Sequence, residues 1–258
     1  MSVLLSRNDS SGVATLTMER PQARNALSMD LMTALIGAFE AISKDAAIKA
    51  VILRGAGPAF CAGHDLKEMR ANPGRAFMQQ TFETCVRLML TITKLRQPVI
   101  AEVHGIATAA GCQLAATCDL AVCADDTRFA TPGVNIGLFC STPMVALTRA
   151  VGRKAAMRML LTGDPIDAVE AVRIGLVNAA VPSSKLHETV QSLADQIAAK
   201  SGRVVTIGKA AFNRQIDMSL EDAYTYAGAV MTENMMLPDA AEGIDAFLEK
   251  RKPAWCDS

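Results

Sequence analysis

Two stretches hold the residues whose types and spacing bear on chemistry: "GAGPAFCAGHDLKEM" at 55–69 and "HGIATAAGCQL" at 104–114. Each follows an apolar strand pattern, narrows to glycine and alanine, and then enters a helical pattern, with Asp65 placed as an N-cap in the first. The first N–H groups of a helix have no partner within it, and small residues let backbone come close to a ligand. Two such helix starts aimed at one point would stabilise a developing negative charge. One amide, Gln113, stands among apolar neighbours in the second stretch. Glutamine holds a water or a carbonyl by hydrogen bond but exchanges no proton near neutral pH. If it is simply a core residue, it must be paired with backbone.

Other chemistries lack their signatures. There is no GxxxxGK[ST] phosphate loop, no GxGxxG after a strand and no G-x-S-x-G nucleophile turn. The three histidines, 64, 104 and 187, are far apart and offer no metal-ligand spacing. Seven cysteines (61, 85, 112, 118, 123, 140, 256) are odd in number, irregularly spaced and without a CxxC pair. They read as reduced thiols of a cytoplasmic protein, mostly buried as small hydrophobes. Lysine plus arginine equals aspartate plus glutamate at 26 each, so no basic face for nucleic acid is expected. Apolar runs are broken by Arg54, Asp65 and Asp119, which argues against a membrane span, and the N-terminus shows no secretory leader.

The elements that must position these stretches recur as strand, turn, helix. Residues 13–18 alternate as a strand after a hairpin-like turn at Ser10–Gly12, and 49–57, 99–105 and 119–125 are further strands. Helices are expected over 29–45, with Ser28 as N-cap and Leu31, Leu35, Phe39 and Ile42 on one face, and over 75–95, 151–163 and 166–175. Beyond about residue 184 the pattern is helical only. This suggests an α/β core over 1–200 and a helical, oligomerising region over 201–258. The apolar face with Met231, Met235 and Met236 reads equally as core or as a subunit interface.

The stretches "ERPQARNALS" (19–28), "FCAGHDLKEM" (60–69), "VHGIATAAGCQLAATCDLAV" (103–122), "LTGDPIDAVEAVRIGLVN" (161–178) and "FLEKRKPAW" (247–255), in this order, resemble the enoyl-CoA hydratase/isomerase (crotonase) family. The resemblance implies an α/β fold: a crotonase-like spiral of ββα units with a C-terminal helical region, assembled as a homotrimer or a dimer of trimers. It implies acyl-CoA thioester substrates, coenzyme A entering only as part of the substrate, and no metal or permanently bound cofactor. By motif position, the backbone N–H groups of His64 and Ala110 would form an oxyanion hole for the thioester carbonyl. Ala110 is the middle of "AAG", where most relatives have three glycines. Ala23, Arg24, Ala62, His64, Asp65 and Leu66 would line the coenzyme A site, with Phe247 and Lys250 reaching it from the helical region.

Departures from the family pattern fall on the acid–base positions. The two hydratase glutamates map onto Gln113 and Gly133, so both carboxylates are missing. Losing one positioned acid or base costs about 10²–10⁴ in rate, which argues against efficient hydration. "GLFCSTPM" (137–144) lacks the usual turn and looks about one residue short. It places Cys140 or Ser141 where some relatives keep a catalytic aspartate. The same departures resemble a subgroup of enoyl-CoA hydratase domain-containing proteins. Three functions follow: an isomerase, thioesterase or other enolate-forming enzyme, a catalytically weak acyl-CoA-binding oligomer, or a hydratase using water held by Gln113.

Overall fold

The chain was analysed as a computed structural model that describes residues 3–256. Strands β1 (Leu5–Ser10) and β2 (Val13–Met18) pair antiparallel about Ser11 and Gly12. Both turn residues have positive φ, 50° and 80°, the geometry whose twist matches that of a two-residue hairpin. A 3-10 turn at Pro21–Ala23 leads to α1 (Met29–Ser43), capped by the Ser28 hydroxyl, which accepts from Leu31 N at 3.3 Å. Then come β3 (Ala50–Gly55), α2 (Leu66–Ala71), α3 (Arg75–Lys94), β4 (Val99–Val103), β5 (Ile106–Thr108), α4 (Ala110–Thr117), β6 (Leu120–Ala124) and β7 (Arg128–Ala130). A 3-10 turn at Pro132–Ile136 precedes α5 (Ser141–Ala150) and α6 (Arg153–Thr162). Next are β8 (Ile166–Asp167), α7 (Ala168–Arg173) and β9 (Ala179–Val181). Helices α8 (Leu186–Ala198), α9 (Gly202–Gln215), α10 (Leu220–Met235) and α11 (Pro238–Leu248) complete the chain.

Two sheets result, in the orders β1-β2-β3-β4-β6-β9 and β5-β7-β8. Beyond the hairpin the larger sheet is parallel, and its strands read as nearly unbroken apolar runs because helices cover both faces. Leu31, Leu35 and Phe39 of α1 and Leu88 and Ile92 of α3 share one core with Leu16, Val51 and Val103. On the other face Leu186, Val190 and Ala194 of α8 cover Val13, Ile52 and Ile100. Cys61 forms an isolated parallel bridge to Ala107 of β5, and β5 pairs in parallel with β7. Three ββα turns of a spiral therefore follow one another: β3–Cys61–α2, β4–β5–α4 and β6–β7–α5.

The sequence reading of one helix over 166–175 needs correction. Ile166–Asp167 pairs with β7, and Asp167 then caps α7 by accepting from Glu170 N at 2.8 Å. The capping side chain, invisible to helical periodicity, sets the boundary.

The helical region is tied to the core by a few polar anchors. Lys209 of α9 is largely buried. Its Nζ donates to the Ile92 and Gln97 carbonyls, each at 3.0 Å, and to Asp119 Oδ2 at 2.7 Å. The C-terminal tail folds back: Trp255 Nε1 donates to the Ala199 carbonyl at 2.9 Å, and Cys256 N donates to buried Asp239 at 2.6 Å. No helix among the described residues is long and apolar enough to cross a membrane.

Candidate active site

The spiral brings the two small-residue loops into contact. Cys61 N donates to the Ile106 carbonyl at 3.1 Å, Thr108 N to the Cys61 carbonyl at 3.0 Å, and Thr108 Oγ1 to the Ala62 carbonyl at 3.1 Å. Gly111 allows this approach: a Cβ there would lie 2.0 Å from the Cys61 carbonyl oxygen. Gly63, at φ 92°, abuts the start of α4, since a Cβ on it would lie 3.4 Å from Ala110 N. Leu27 bridges His64 by giving its N–H to Gly63 and taking that of Asp65, which turns the His64 N–H away from Leu27. Neither the His64 nor the Ala110 backbone N–H has a hydrogen-bond acceptor among the described residues. Two free donors, one at the first residue of a helix, can hold an oxygen that gains negative charge.

Ala109, the N-cap of α4, carries the strain of this arrangement. Its φ and ψ are 51° and −119°, a region that an L-residue enters at a cost of about 1–3 kcal/mol. The Ala109 N–H is held by the Ala130 carbonyl at 2.9 Å, so the third turn of the spiral fixes the second.

Segment 20–27 lies along the first loop. Ala62 N donates to the Arg24 carbonyl at 3.0 Å, and Arg20 pairs with Asp65 at 2.8 Å. Buried Asn25, not singled out in the sequence, holds this turn: its Nδ2 donates to the Ala56 and Ala59 carbonyls, and its Oδ1 accepts from Arg20 N. Asp65 caps α2 through Lys67 N and Glu68 N. Burial alone would raise its carboxyl, but the Arg20 guanidinium and the cap N–H groups hold it below the usual range. Ala23, Arg24, Ala62, Asp65 and exposed Leu66 thus lie on neighbouring segments. Phe247 and Lys250 follow at the end of α11. Phe247 is exposed and makes none of the contacts that join the loops.

The His64 imidazole is buried and holds its pKa below the ordinary value because of that burial, which the Leu27 backbone offsets in part. No hydrogen bond of ordinary geometry reaches either ring nitrogen, the Leu27 backbone being the polar group beside them, and Phe82 of α3 meets the ring edge-on at 5.6 Å. Gln113 is buried one turn beyond Ala110, and its Oε1 accepts from the Cys85 thiol at 3.8 Å. Burial pushes Cys85 up to about 12. Cys85 was not expected from motif reading; its only signal is its place on the inward face of α3, in step with Leu88 and Ile92. Gln113 also lines an open cavity of about 950 Å³ bounded by α3, α4, α5 and α9.

Gly133 is buried in the 3-10 turn, with Leu138 N donating to its carbonyl at 2.9 Å. A Cβ on Gly133 would lie 2.7 Å from the Leu138 carbonyl oxygen and 2.9 Å from Cys140 Sγ. Cys140 is buried against it at the N-cap of α5, and burial raises its thiol although the Gly133 backbone pulls the other way. Ser141 is exposed, its hydroxyl on the Phe139 carbonyl at 3.4 Å. No group of three or more potential metal ligands is found among the described residues.

Comparison with known proteins agrees with this architecture. The family described as "Enoyl-CoA hydratase/isomerase" matches residues 8–258. The rat protein "Enoyl-CoA hydratase domain-containing protein 3, mitochondrial" is 46% identical over 98% of this chain and 84% of its own length. A crystal structure of enoyl-CoA hydratase from Mycobacterium smegmatis superposes with a TM-score of 0.96 at 53% identity, covering 98% of this chain and 99% of its own. The human enoyl-CoA hydratase domain-containing protein 3 structure gives 0.95 at 45% identity, with 98% and 100% covered. The rat and human relatives are named mitochondrial, which overturns the expectation of a cytoplasmic protein. That expectation rested on reduced thiols, and six of the seven are buried here, where their redox state says little about compartment. From the matched residues, the overall superposition and the spiral itself, this chain belongs to the enoyl-CoA hydratase/isomerase family.

Proposed function

We propose that the chain binds acyl-CoA thioesters and polarises the thioester carbonyl between the His64 and Ala110 N–H groups, stabilising an enolate-type anion. The observation that carries this reading is the pair of unpartnered N–H groups held by the Cys61–β5 ladder. Coenzyme A would lie along Ala23, Arg24, Ala62, Asp65 and Leu66, with Phe247 and Lys250 supplied through an oligomer.

Hydration at the family's usual rate is not expected. Gln113 moves no proton, Gly133 has no side chain, and burial keeps the Cys85 and Cys140 thiols protonated. An isomerase or thioesterase step, drawing on the polarised carbonyl and an outside base or water, fits these residues better. The same protonated thiols favour a second reading, an acyl-CoA-binding oligomer with little turnover.

Infrared spectroscopy of bound butyryl-CoA tests the binding step. The thioester carbonyl band should shift to lower frequency, and S-butyl-CoA, a thioether without the carbonyl, should bind at least tenfold more weakly. An unshifted band and equal binding would remove the N–H pair from the function. Following the enoyl absorbance of crotonyl-CoA then tests the acid–base step, and turnover should fall about 10²–10⁴ below a two-glutamate relative. Hydration at that relative's rate would refute the loss.

A further inference from the structure

Helix α6 keeps one face in the core and turns outward a second face that the fold does not use. Ala156, Met159 and Leu160 are buried, while Arg153, Lys154, Met157, Arg158 and Leu161 are exposed. Residues four apart lie one above the other on a helix. Lys154 and Arg158 therefore form a cationic row, and Met157 and Leu161 an apolar row beside it. Helix α7 shares this surface, since Arg173 and then Arg158 hold the Glu170 carboxyl below the usual carboxylate range. Val169 and Val172 of α7 are exposed apolar side chains as well. Among the described residues, nothing hydrogen-bonds or pairs with the Arg153 and Lys154 side chains. Glu170 is already taken by Arg173, at 2.6 Å and 2.7 Å, and Asp167 by its cap on α7.

The charges stand where the helix itself disfavours them. Arg153 and Lys154 lie in the first turn of α6, at the positive end of its dipole, with no acidic residue there and no side-chain cap from Gly152. Cations and free N–H groups thus present one concentrated positive field to solvent. We infer that α6 and α7 dock the protein on an anionic bilayer surface, with Arg153, Lys154 and Arg158 at lipid phosphates and Met157, Leu161 and Val169 inserted beneath them. The contact is peripheral: the helices lie on the membrane and do not span it. Charge complementarity selects this occupant. A second copy meeting the same face about a two-fold axis would set Lys154 and Arg158 against their own counterparts. Leu161 and Val169 stand out singly, 61% and 75% exposed, and a fluid bilayer takes up such side chains without a matching groove.

Co-sedimentation of the full chain with phosphatidylcholine vesicles, with and without phosphatidylglycerol, tests this. Binding should require phosphatidylglycerol and weaken as salt is raised. Each Lys or Arg at an anionic surface strengthens association about fivefold, so Arg153→Gln, Lys154→Gln and Arg158→Gln combined should weaken it about a hundredfold. Leu161→Ser with Val169→Ser should weaken it about tenfold. Arg87→Gln with Lys185→Gln, exposed cations of other faces, should leave it unchanged. Circular dichroism checks the fold of each variant. Bromine-labelled lipid should quench the emission of Leu161→Trp and spare that of the parent chain, which comes from Trp255. Folded parent chain that ignores phosphatidylglycerol vesicles, or an equal loss from the Arg87 and Lys185 changes, would overturn the inference. Salt-sensitive binding that survives the Leu161 and Val169 changes and leaves Leu161→Trp unquenched would also overturn it, and would assign the cations to an acidic protein surface.

Discussion

At the residue scale, the replacement of Gly133 is bound to the shape of its loop. A Cβ at 133 would meet the Leu138 carbonyl at 2.7 Å, a backbone atom that cannot swing aside. Restoring a glutamate with Gly133→Glu should therefore destabilise the chain by about 1–3 kcal/mol, lowering Tm by a few degrees, and create no hydratase. Thermal denaturation and the crotonyl-CoA assay check both parts. Ala109→Gly should act oppositely, relieving the positive-φ strain and raising stability by about 1 kcal/mol after the entropy cost of glycine. Two groups of the site contribute to an acid limb. Asp65 has a lowered folded pKa, so its contribution is full above the unfolded value of about 3.9 and is lost as pH falls below it. His64 is also lowered, so the unfolded chain takes up its proton first and stability declines as pH drops through about 6.5. His64→Asn should flatten Tm between pH 7 and 5; an unchanged slope there would assign that limb to other groups. The sequence disclosed Gln113, Gly133 and the cap Asp65 because these depend on local type and spacing. It did not disclose Cys85 or the paired condition of the loops, because both arise from residues brought together across the spiral.

At the scale of elements, the site depends on how α4 and α9 are seated. Gly111→Ala would drive a methyl group into the Cys61 carbonyl, so α4 must lift from the first loop and Ala110 must move away from Gly63. Loss of the infrared carbonyl shift with secondary structure retained is the expected result. Lys209 seats α9, and Lys209→Met would leave the partly exposed Asp119 carboxylate without its cation and the Ile92 and Gln97 carbonyls without their donor. Burial already raises the Asp119 carboxyl against the pull of Lys209. Losing hydrogen bonds to a largely buried ammonium costs about 1–3 kcal/mol, so Tm should fall by a few degrees and α9 should become open to limited proteolysis. Helical periodicity and glycine stops made α1, α3 and α6 readable in advance. The Lys209 anchor was not readable, since Lys209, Ile92, Gln97 and Asp119 share no local pattern.

At the scale of the whole molecule, the described chain leaves large apolar side chains outside: Phe212 and Ile216 on α9, Met231 and Met235 on α10, Phe247 and Leu248 on α11. The two readings of the methionine face divide here, for α10 has no buried residue within one chain. A trimer or a dimer of trimers is the expected state in sedimentation velocity, and a monomer at micromolar concentration would overturn it. The C-terminal tail then gives the molecule an optical label of its own. Trp255 is the sequence's one tryptophan, and it sits on the clasp that joins the tail to the end of α8. Its emission reports the clasp and is blind to the sheet. A denaturant titration read by tryptophan fluorescence should therefore precede one read by far-ultraviolet circular dichroism whenever the tail lets go before the spiral unwinds.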